Sequence, residues 1–235
     1  MQSNEIPKIM GHVWIGPLSP PTEWMNTWRD LHPNWDYRVY DNDFLRTEDF
    51  ETQSQINEYM RRGNYAGVAD MMRYEILFRY GGFFAEADSI CHKKIDNLLD
   101  SEYSIFTCYE NEHVTEGLVT PIMASVPGHP FLRLLIDGIK SVSPSRLDTP
   151  WKQTGNLYVA KMIEKHNPDI KIWPSHYFIP KHHTGLEYEG KDEIYAEQFF
   201  GTTNKIYKTP TRAARLLEHQ RKLYKRLRKK MKRFL

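Results

Sequence analysis

A chain of 235 residues, 40% of them hydrophobic and 26% charged, is long enough for one α/β domain that buries about 70 to 75% of its unfolded surface. Two cysteines, Cys91 and Cys108, have no metal-ligand spacing, so they exclude a disulfide framework and a thiolate zinc centre and suit a reducing compartment. The net charge of +2 hides an asymmetry: residues 205–235 hold thirteen Lys and Arg against Glu218, a net +12, which leaves −10 on residues 1–204 and argues against a nucleic-acid-binding core. The N-terminal MQSNEIPKIM lacks a charged and then apolar leader, and no run of eighteen apolar residues exists, so a classical secretion signal and a membrane span are not expected. The expected location is cytoplasmic.

In chain order, IPKIMGHVWIG over 6–16 reads as a first strand ending at Gly16, with Trp14 and Ile15 at its end. A helix follows, with Thr22 expected as N-cap, Glu23 in the first turn, and Trp24, Thr27, Trp28 and Leu31 on one face. His32-Pro33-Asn34 stops it. Residues 37–40 form a second strand that ends in Asp41-Asn42-Asp43, and strand-helix-strand order predicts a parallel pair. Ligands collect at the carboxyl ends of such strands, where Trp14-Ile15-Gly16 and the 41–43 acids both lie. Residues 44–63 read as a loop and a surface helix.

The richest stretch is ADMMRYEILFRYGGFFAEADSICHKKID over 69–96. If 66–80 is helical, Asp70 and Arg73 share a face. Gly81 and Gly82 stop the helix and release the chain into an apolar strand. That strand is expected to run into Glu86-Ala87-Asp88, where alternation points both carboxylates at one site and invites a divalent cation. Beyond it, strands are expected over 103–108 and 118–125, the latter weakened by Pro121. Helices are expected over 131–142 and 155–164, and a short strand over 170–174. Residues 175–204 read as an active-site loop region. Residues 211–235 space Leu216, Leu217, Leu223, Leu227 and Met231 by about a helical turn among basic residues, a basic amphipathic helix suited to an anionic membrane surface or to packing on the domain.

The phrases IPKIMGHVWIG and HPNWDYRVYDND, and above all the 69–96 stretch, resemble glycosyltransferase family 32, the DxD-containing group of capsular polysaccharide transferases and fungal initiating mannosyltransferases, with the large clostridial toxin glucosyltransferase domains as remoter kin. The resemblance spans about 6–205 and is strongest in the first hundred residues. It implies a GT-A fold, Rossmann-like, with a mixed mostly parallel sheet flanked by helices, over 1–207, followed by the helical tail at 208–235. It also implies a retaining hexosyltransferase that uses Mn²⁺ or Mg²⁺ and a nucleoside diphosphate sugar, UDP- or GDP-linked. The acceptor is a glycan or lipid-linked hydroxyl, as in polysaccharide biosynthesis at a membrane periphery.

By that resemblance Asp70 holds the donor sugar, Arg73 reaches sugar and diphosphate through its guanidinium fork, and Asp88 ligates the metal. Glu86 stands where the family has its first Asp; the extra methylene keeps the charge but moves it by about one C–C bond, so a ribose or water-mediated contact is expected in place of direct metal ligation. Trp14 packs on the base, Gly16 allows close approach, and Ile15, Gly82 and Ala87 complete the donor-contacting backbone. In AEQFFGTT over 196–203, Gln198 stands near a usual His; it can donate to phosphate but is a poor metal ligand, so a metal ligand from this loop is expected to be Thr202, Thr203 or a backbone carbonyl. QTGN over 153–156 resembles a Thr-Gly-Pro segment, with Asn156 in place of proline. Rival readings stand beside these: an i,i+3 ion pair for Asp70 and Arg73, turn-capping acids for Glu86 and Asp88, a core role for Trp14, and loop positions for His182 and His183. A catalytically silent nucleotide-sugar-binding or membrane-attached scaffold is the alternative function.

Overall fold

The computed structural model describes residues 5–99, 102–201, 203–204 and 207. Strand β1 (Ile9–Val13) leads through helix α1 (Thr22–Leu31) to β2 (Asp36–Tyr40), and β1 and β2 pair in parallel from Ile9↔Asp36 to Val13↔Tyr40. Helix α1 starts at Thr22 itself, behind Pro21, with no side-chain cap, so the expected N-cap moves back by one residue. Asp41 caps a short helix that the polar sequence concealed, α2 (Asn42–Thr47), accepting from the amides of Asp43 and Phe44. The 41–43 acids therefore close a helix end.

Helix α3 (Gln53–Arg62) ends at left-handed Gly63, and α4 (Tyr65–Tyr80) follows after two residues. Helix α4 is buried on nearly all sides from Gly67 to Leu77, so each charged residue on it needs a partner. Glu75 finds its partners in the amides of Glu51 and Thr52 and the Thr52 hydroxyl, and so anchors the start of α3 from outside. Gly82 opens β3 (Gly82–Phe84) at φ +107°, and a Cβ there would lie 2.6 Å from the Ile9 carbonyl oxygen, so only glycine lets β3 lie this close to β1.

Strands β4 (Ser89–Cys91), β5 (Ile105–Tyr109) and β6 (Val119–Ser125) precede α5 (Pro130–Lys140), α6 (Pro150–Gln153) and α7 (Asn156–His166). Then come β7 (Lys171–Trp173) and β8 (Ala196–Gln198). The main sheet runs β2-β1-β3-β6-β5-β7, and β6 alone is antiparallel to its neighbours. Pro121 is tolerated inside β6 because the β5 register shifts between Thr107 and Tyr109, beside the proline, leaving the missing amide out of the ladder. The two core clusters are centred on Met71, Tyr74 and Leu135 in one and on Trp28, Phe83, Phe106 and Trp173 in the other. Strand β8 pairs antiparallel with β4, so part of the expected loop region is regular structure. No helix among the described residues is long and apolar enough to cross a membrane. The basic tail at 208–235 lies outside the described residues.

Candidate active site

The carboxyl ends of β1, β3 and β5 share one edge of the sheet, as their parallel directions require. A cavity of about 610 Å³ opens there, lined by α4, by the turn after β3, and by Glu110 at the end of β5. Its remaining wall comes from the segments around Trp151, His182 and Gln198.

Strand β3 ends at Phe84, short of the expected extension through the acids. Glu86-Ala87-Asp88 instead forms a turn, closed by the Ser89 hydroxyl donating to the Glu86 carbonyl at 2.6 Å. The two carboxylates still meet in one cavity, by turn geometry rather than by strand alternation. Asp88 Oδ2 accepts from the Gly201 amide at 2.6 Å, and the Tyr207 hydroxyl is a second partner. The Phe199 amide reaches the Asp88 carbonyl at 2.8 Å, so β8 and its following loop clamp the turn. Phe200 adopts φ +51°, costly for a bulky side chain, and the turn there delivers the Gly201 amide to Asp88.

Arg73 sits at the centre, buried. Its Nη2 lies 2.8 Å from Glu86 Oε1 and its Nη1 3.4 Å from Asp70 Oδ1. The predicted i,i+3 pair is thus present, inside the cavity wall rather than on a solvated face. Asp70 Oδ2 accepts from the Thr154 hydroxyl at 3.0 Å, and the Tyr74 hydroxyl holds the Thr154 carbonyl at 2.5 Å. Three carboxylates thus surround one guanidinium. Burial pushes Asp70 up to about 6, with Arg73 opposing, and Glu86 up to about 7, with Arg73 opposing and the Asp88 and Asp70 charges adding to the rise. Burial also raises Asp88, against the hydrogen bond from Gly201. The cluster is short of positive charge when fully ionised.

Oxygen donors point into this deficit. Gln198 Oε1 is buried without a hydrogen-bond partner, and Glu86 Oε1, paired with Arg73, keeps a second lone pair. With Asp88 they place three oxygen-bearing side chains, the ligand type Mg²⁺ and Mn²⁺ take, on one cavity. A second group, Glu110, His182 and His183, brings three ligand atoms within 4.8 Å of one another in the same cavity. Two of these are already engaged: Glu110 Oε1 with His182 Nε2 at 3.1 Å, and Glu110 Oε2 with the Asn156 amide.

Of the remaining sequence candidates, Thr203 lines the cavity and Thr202 lies outside the described residues. Trp14, Ile15, Gly16, Gly82 and Ala87 are not on its lining. Trp14 borders the site through Tyr207, whose ring it meets edge-on at 4.9 Å, while its indole donates to the Leu18 carbonyl at 2.8 Å. The close approach at Gly16 is made by the Tyr65 ring, 2.8 Å from a would-be Cβ. Gly82 serves the β1–β3 contact. Glu110, Trp151 and the buried His182 were not singled out from sequence as site residues. The available signal was Glu110's place just after a strand, the same rule that draws attention to Trp14.

An open mixed sheet whose acidic turn lies at the carboxyl end of a central strand is the GT-A-type glycosyltransferase fold. Solved structures agree: the PaToxG glycosyltransferase superposes with a TM-score of 0.58 at 14% identity, covering 69% of this chain and 70% of that one. The UDP-bound glycosyltransferase domain from the YGT toxin gives 0.50 at 10% identity over 72% and 80%. Residues 22–105 match the model of the family described as the glycosyltransferase sugar-binding region containing DXD motif. The chain is homologous to inositol phosphoceramide mannosyltransferase 2 of Schizosaccharomyces pombe, 25% identical over 179 residues, 73% of this chain and 50% of that protein. It is 30% identical over 132 residues to glycosyltransferase L373 of Acanthamoeba polyphaga mimivirus, 53% of this chain and 52% of the relative. The chain spans about half the length of these curated relatives.

Proposed function

We propose that the chain transfers a hexosyl group, with retention, from a nucleoside diphosphate sugar to a hydroxyl of a glycan or lipid-linked acceptor. The observation that carries this reading is the cluster of Asp70, Glu86 and Asp88 around the single buried Arg73 on one cavity. The names of the relatives favour mannose as the sugar, and the UDP held by the YGT toxin domain supports a nucleoside diphosphate carrier. Asp88, Glu86 and the Gln198 amide oxygen would hold Mg²⁺ or Mn²⁺, which when bound neutralises charge on the diphosphate as a Lewis acid. Arg73 presents its fork to the diphosphate oxygens and to the sugar. Asp70, fixed by Thr154, orients the sugar hydroxyls, and the loop carrying Phe200 and Gly201 covers the turn and limits water.

The acceptor oxygen bonds to the anomeric carbon while the bond from that carbon to the phosphate oxygen breaks. Its electron pair leaves with the diphosphate, and the acceptor proton passes to the departing phosphate oxygen on the same face. No second carboxylate nucleophile is required. Attachment to an anionic membrane through the 208–235 tail would bring the site to a lipid-linked acceptor.

A second reading, a nucleotide-sugar-binding protein without transfer, draws on two contacts: Arg73 is engaged by Glu86, and Asp88 by Tyr207 and Gly201. Turnover of GDP-mannose, GDP-glucose, UDP-glucose and UDP-galactose with Mn²⁺ separates the two. Transfer or hydrolysis of one donor, reduced at least a hundredfold in Asp88→Asn, is expected. Binding of a donor with no turnover would select the second reading, and turnover indifferent to Asp88→Asn would remove the metal role.

A further inference from the structure

The polar lining does not stop at Asp70. The Thr154 hydroxyl holds Asp70, and two residues on, the Asn156 amide holds Glu110 Oε2. Glu110 Oε1 then meets His182 Nε2 at 3.1 Å, and His182 Nδ1 meets the Thr184 hydroxyl at 2.8 Å. Glu110 and His182 are 8% and 2% exposed, yet both line the cavity. A carboxylate offers about four lone-pair directions, and Asn156 and His182 use two of Glu110's. The others are available to hydroxyl donors.

Two apolar side chains that folding has not buried line the same cavity as this carboxylate. Trp151 is 47% exposed and Val114 43% exposed, and both line the same cavity. Large apolar side chains left open on a polar cavity mark a binding surface. An aromatic face and a fixed carboxylate on one cavity match a six-membered polyol ring, whose C–H face can pack on the indole while its hydroxyls donate to the carboxylate.

We propose that Trp151, Val114 and the Asn156–Glu110–His182 chain form the acceptor subsite, and that it takes a six-membered polyol ring, a pyranose or an inositol. This rests on the transferase reading for its catalytic meaning, but the binding claim stands on the cavity alone. The loop 154–156 ties the two halves together: Thr154 sets the donor-side acid and Asn156 the acceptor-side acid. Asn156, where the family pattern has proline, supplies the amide donor that proline lacks. Trp151 and Glu110 bind and orient the ring. Asn156 and His182 are positioning residues that act through Glu110.

The test is saturation-transfer NMR on the whole chain with diamagnetic Mg²⁺ and GDP or UDP, using methyl α-D-mannopyranoside and myo-inositol as separate probes. Saturation of the ring protons of one probe is expected, at least fivefold weaker in Trp151→Ala and retained in Trp151→Phe. Which probe responds distinguishes a sugar from an inositol source. Glu110→Gln is expected to weaken the same signal, with circular dichroism confirming that it folds. In transfer assays, Trp151→Ala raises the acceptor KM at least tenfold and moves the donor KM less than twofold. Absence of any signal from either probe with the wild type overturns the subsite, as does equal signal in Trp151→Ala. A stoichiometric Zn²⁺ bound by the wild type and lost in His182→Ala would also overturn it, by assigning Glu110, His182 and His183 to a metal. Polyol binding that depends on Trp151, without turnover of any donor, would support the subsite while sinking the transferase reading.

Discussion

Glu86→Gln should make the protein relatively more stable as the pH rises, which is the reverse of what loss of an ion pair suggests. In the fold the Glu86 carboxyl is raised from 4.5 to about 7, chiefly by burial, so the folded state binds a proton that the unfolded chain has released. Stability from this group is therefore highest below pH 4.5 and is lost as the pH climbs through 7. At about 1.4 kcal/mol per unit, the full shift corresponds to roughly 3 kcal/mol, of which about 2.5 kcal/mol falls between pH 5 and pH 8. The side chain is 21% exposed, which makes this an upper figure. Absolute stability does not isolate the effect, because His12, buried and lowered to about 4, gains stability with pH below 6.5. The difference between wild type and Glu86→Gln cancels His12. Urea denaturation in EDTA at pH 5, 6, 7 and 8 should show the variant gaining about 2 kcal/mol on the wild type across the series. Saturating Mn²⁺ should oppose the trend in the wild type by selecting ionised Glu86, and do so less in the variant. Stability curves that run parallel from pH 5 to pH 8 would refute the buried, proton-holding carboxyl.

Other perturbations test separate parts of the site. Arg73→Lys keeps a charge but loses the fork between Asp70 and Glu86, so thermal stability should fall by about 1–3 kcal/mol and donor affinity by about tenfold or more in calorimetric titration. Tyr207→Phe removes the hydroxyl from Asp88 and should tighten Mn²⁺ binding by roughly three- to tenfold, the worth of one hydrogen bond that the ion need no longer displace. Unchanged or weaker Mn²⁺ binding would contradict that competition. Gly82→Ala places a Cβ 2.6 Å from the Ile9 carbonyl at φ +107°, and should cost about 2–4 kcal/mol in denaturant unfolding through the β1–β3 contact rather than through the cavity.

What the sequence shows and what it conceals divide along physical lines. The helix carrying Asp70 and Arg73, its glycine stop and the acids after β3 are local features, set within twenty residues by periodicity and by Gly81 and Gly82, and all appear in the structure. So does the first parallel pair. The turn at 86–88 looks like strand in the sequence because alternation and a tight turn can both bring residues i and i+2 to one side. Helix α2 was concealed because its six residues have no apolar stripe, only the Asp41 cap. Glu110 and His182 were out of reach for another reason. They meet across 72 positions of chain, Glu110 and Asn156 across 46, and no periodicity encodes a contact between loops. His182 and His183 lie in the expected loop region, and both line the same cavity.

Glu86 joins the two kinds of information. From sequence it is a departure, a longer acid where the family pattern has Asp, and the extra methylene looks like a loss of first-acid geometry. In the structure that length spans the distance to Arg73, with Oε1 at 2.8 Å from Nη2. An aspartate on the same backbone would fall short by about one C–C bond, roughly 1.5 Å, leaving Arg73 held by Asp70 alone at 3.4 Å. A carboxylate oxygen carries two lone pairs, so accepting from Arg73 leaves Glu86 with acceptor capacity to spare. Glu86 can therefore hold the guanidinium in place while remaining an oxygen donor for a cation beside Asp88. Under the proposed metal role the substitution would share the first acid between the arginine and the cation, and Glu86, raised to about 7, would be the point at which proton, arginine and cation compete.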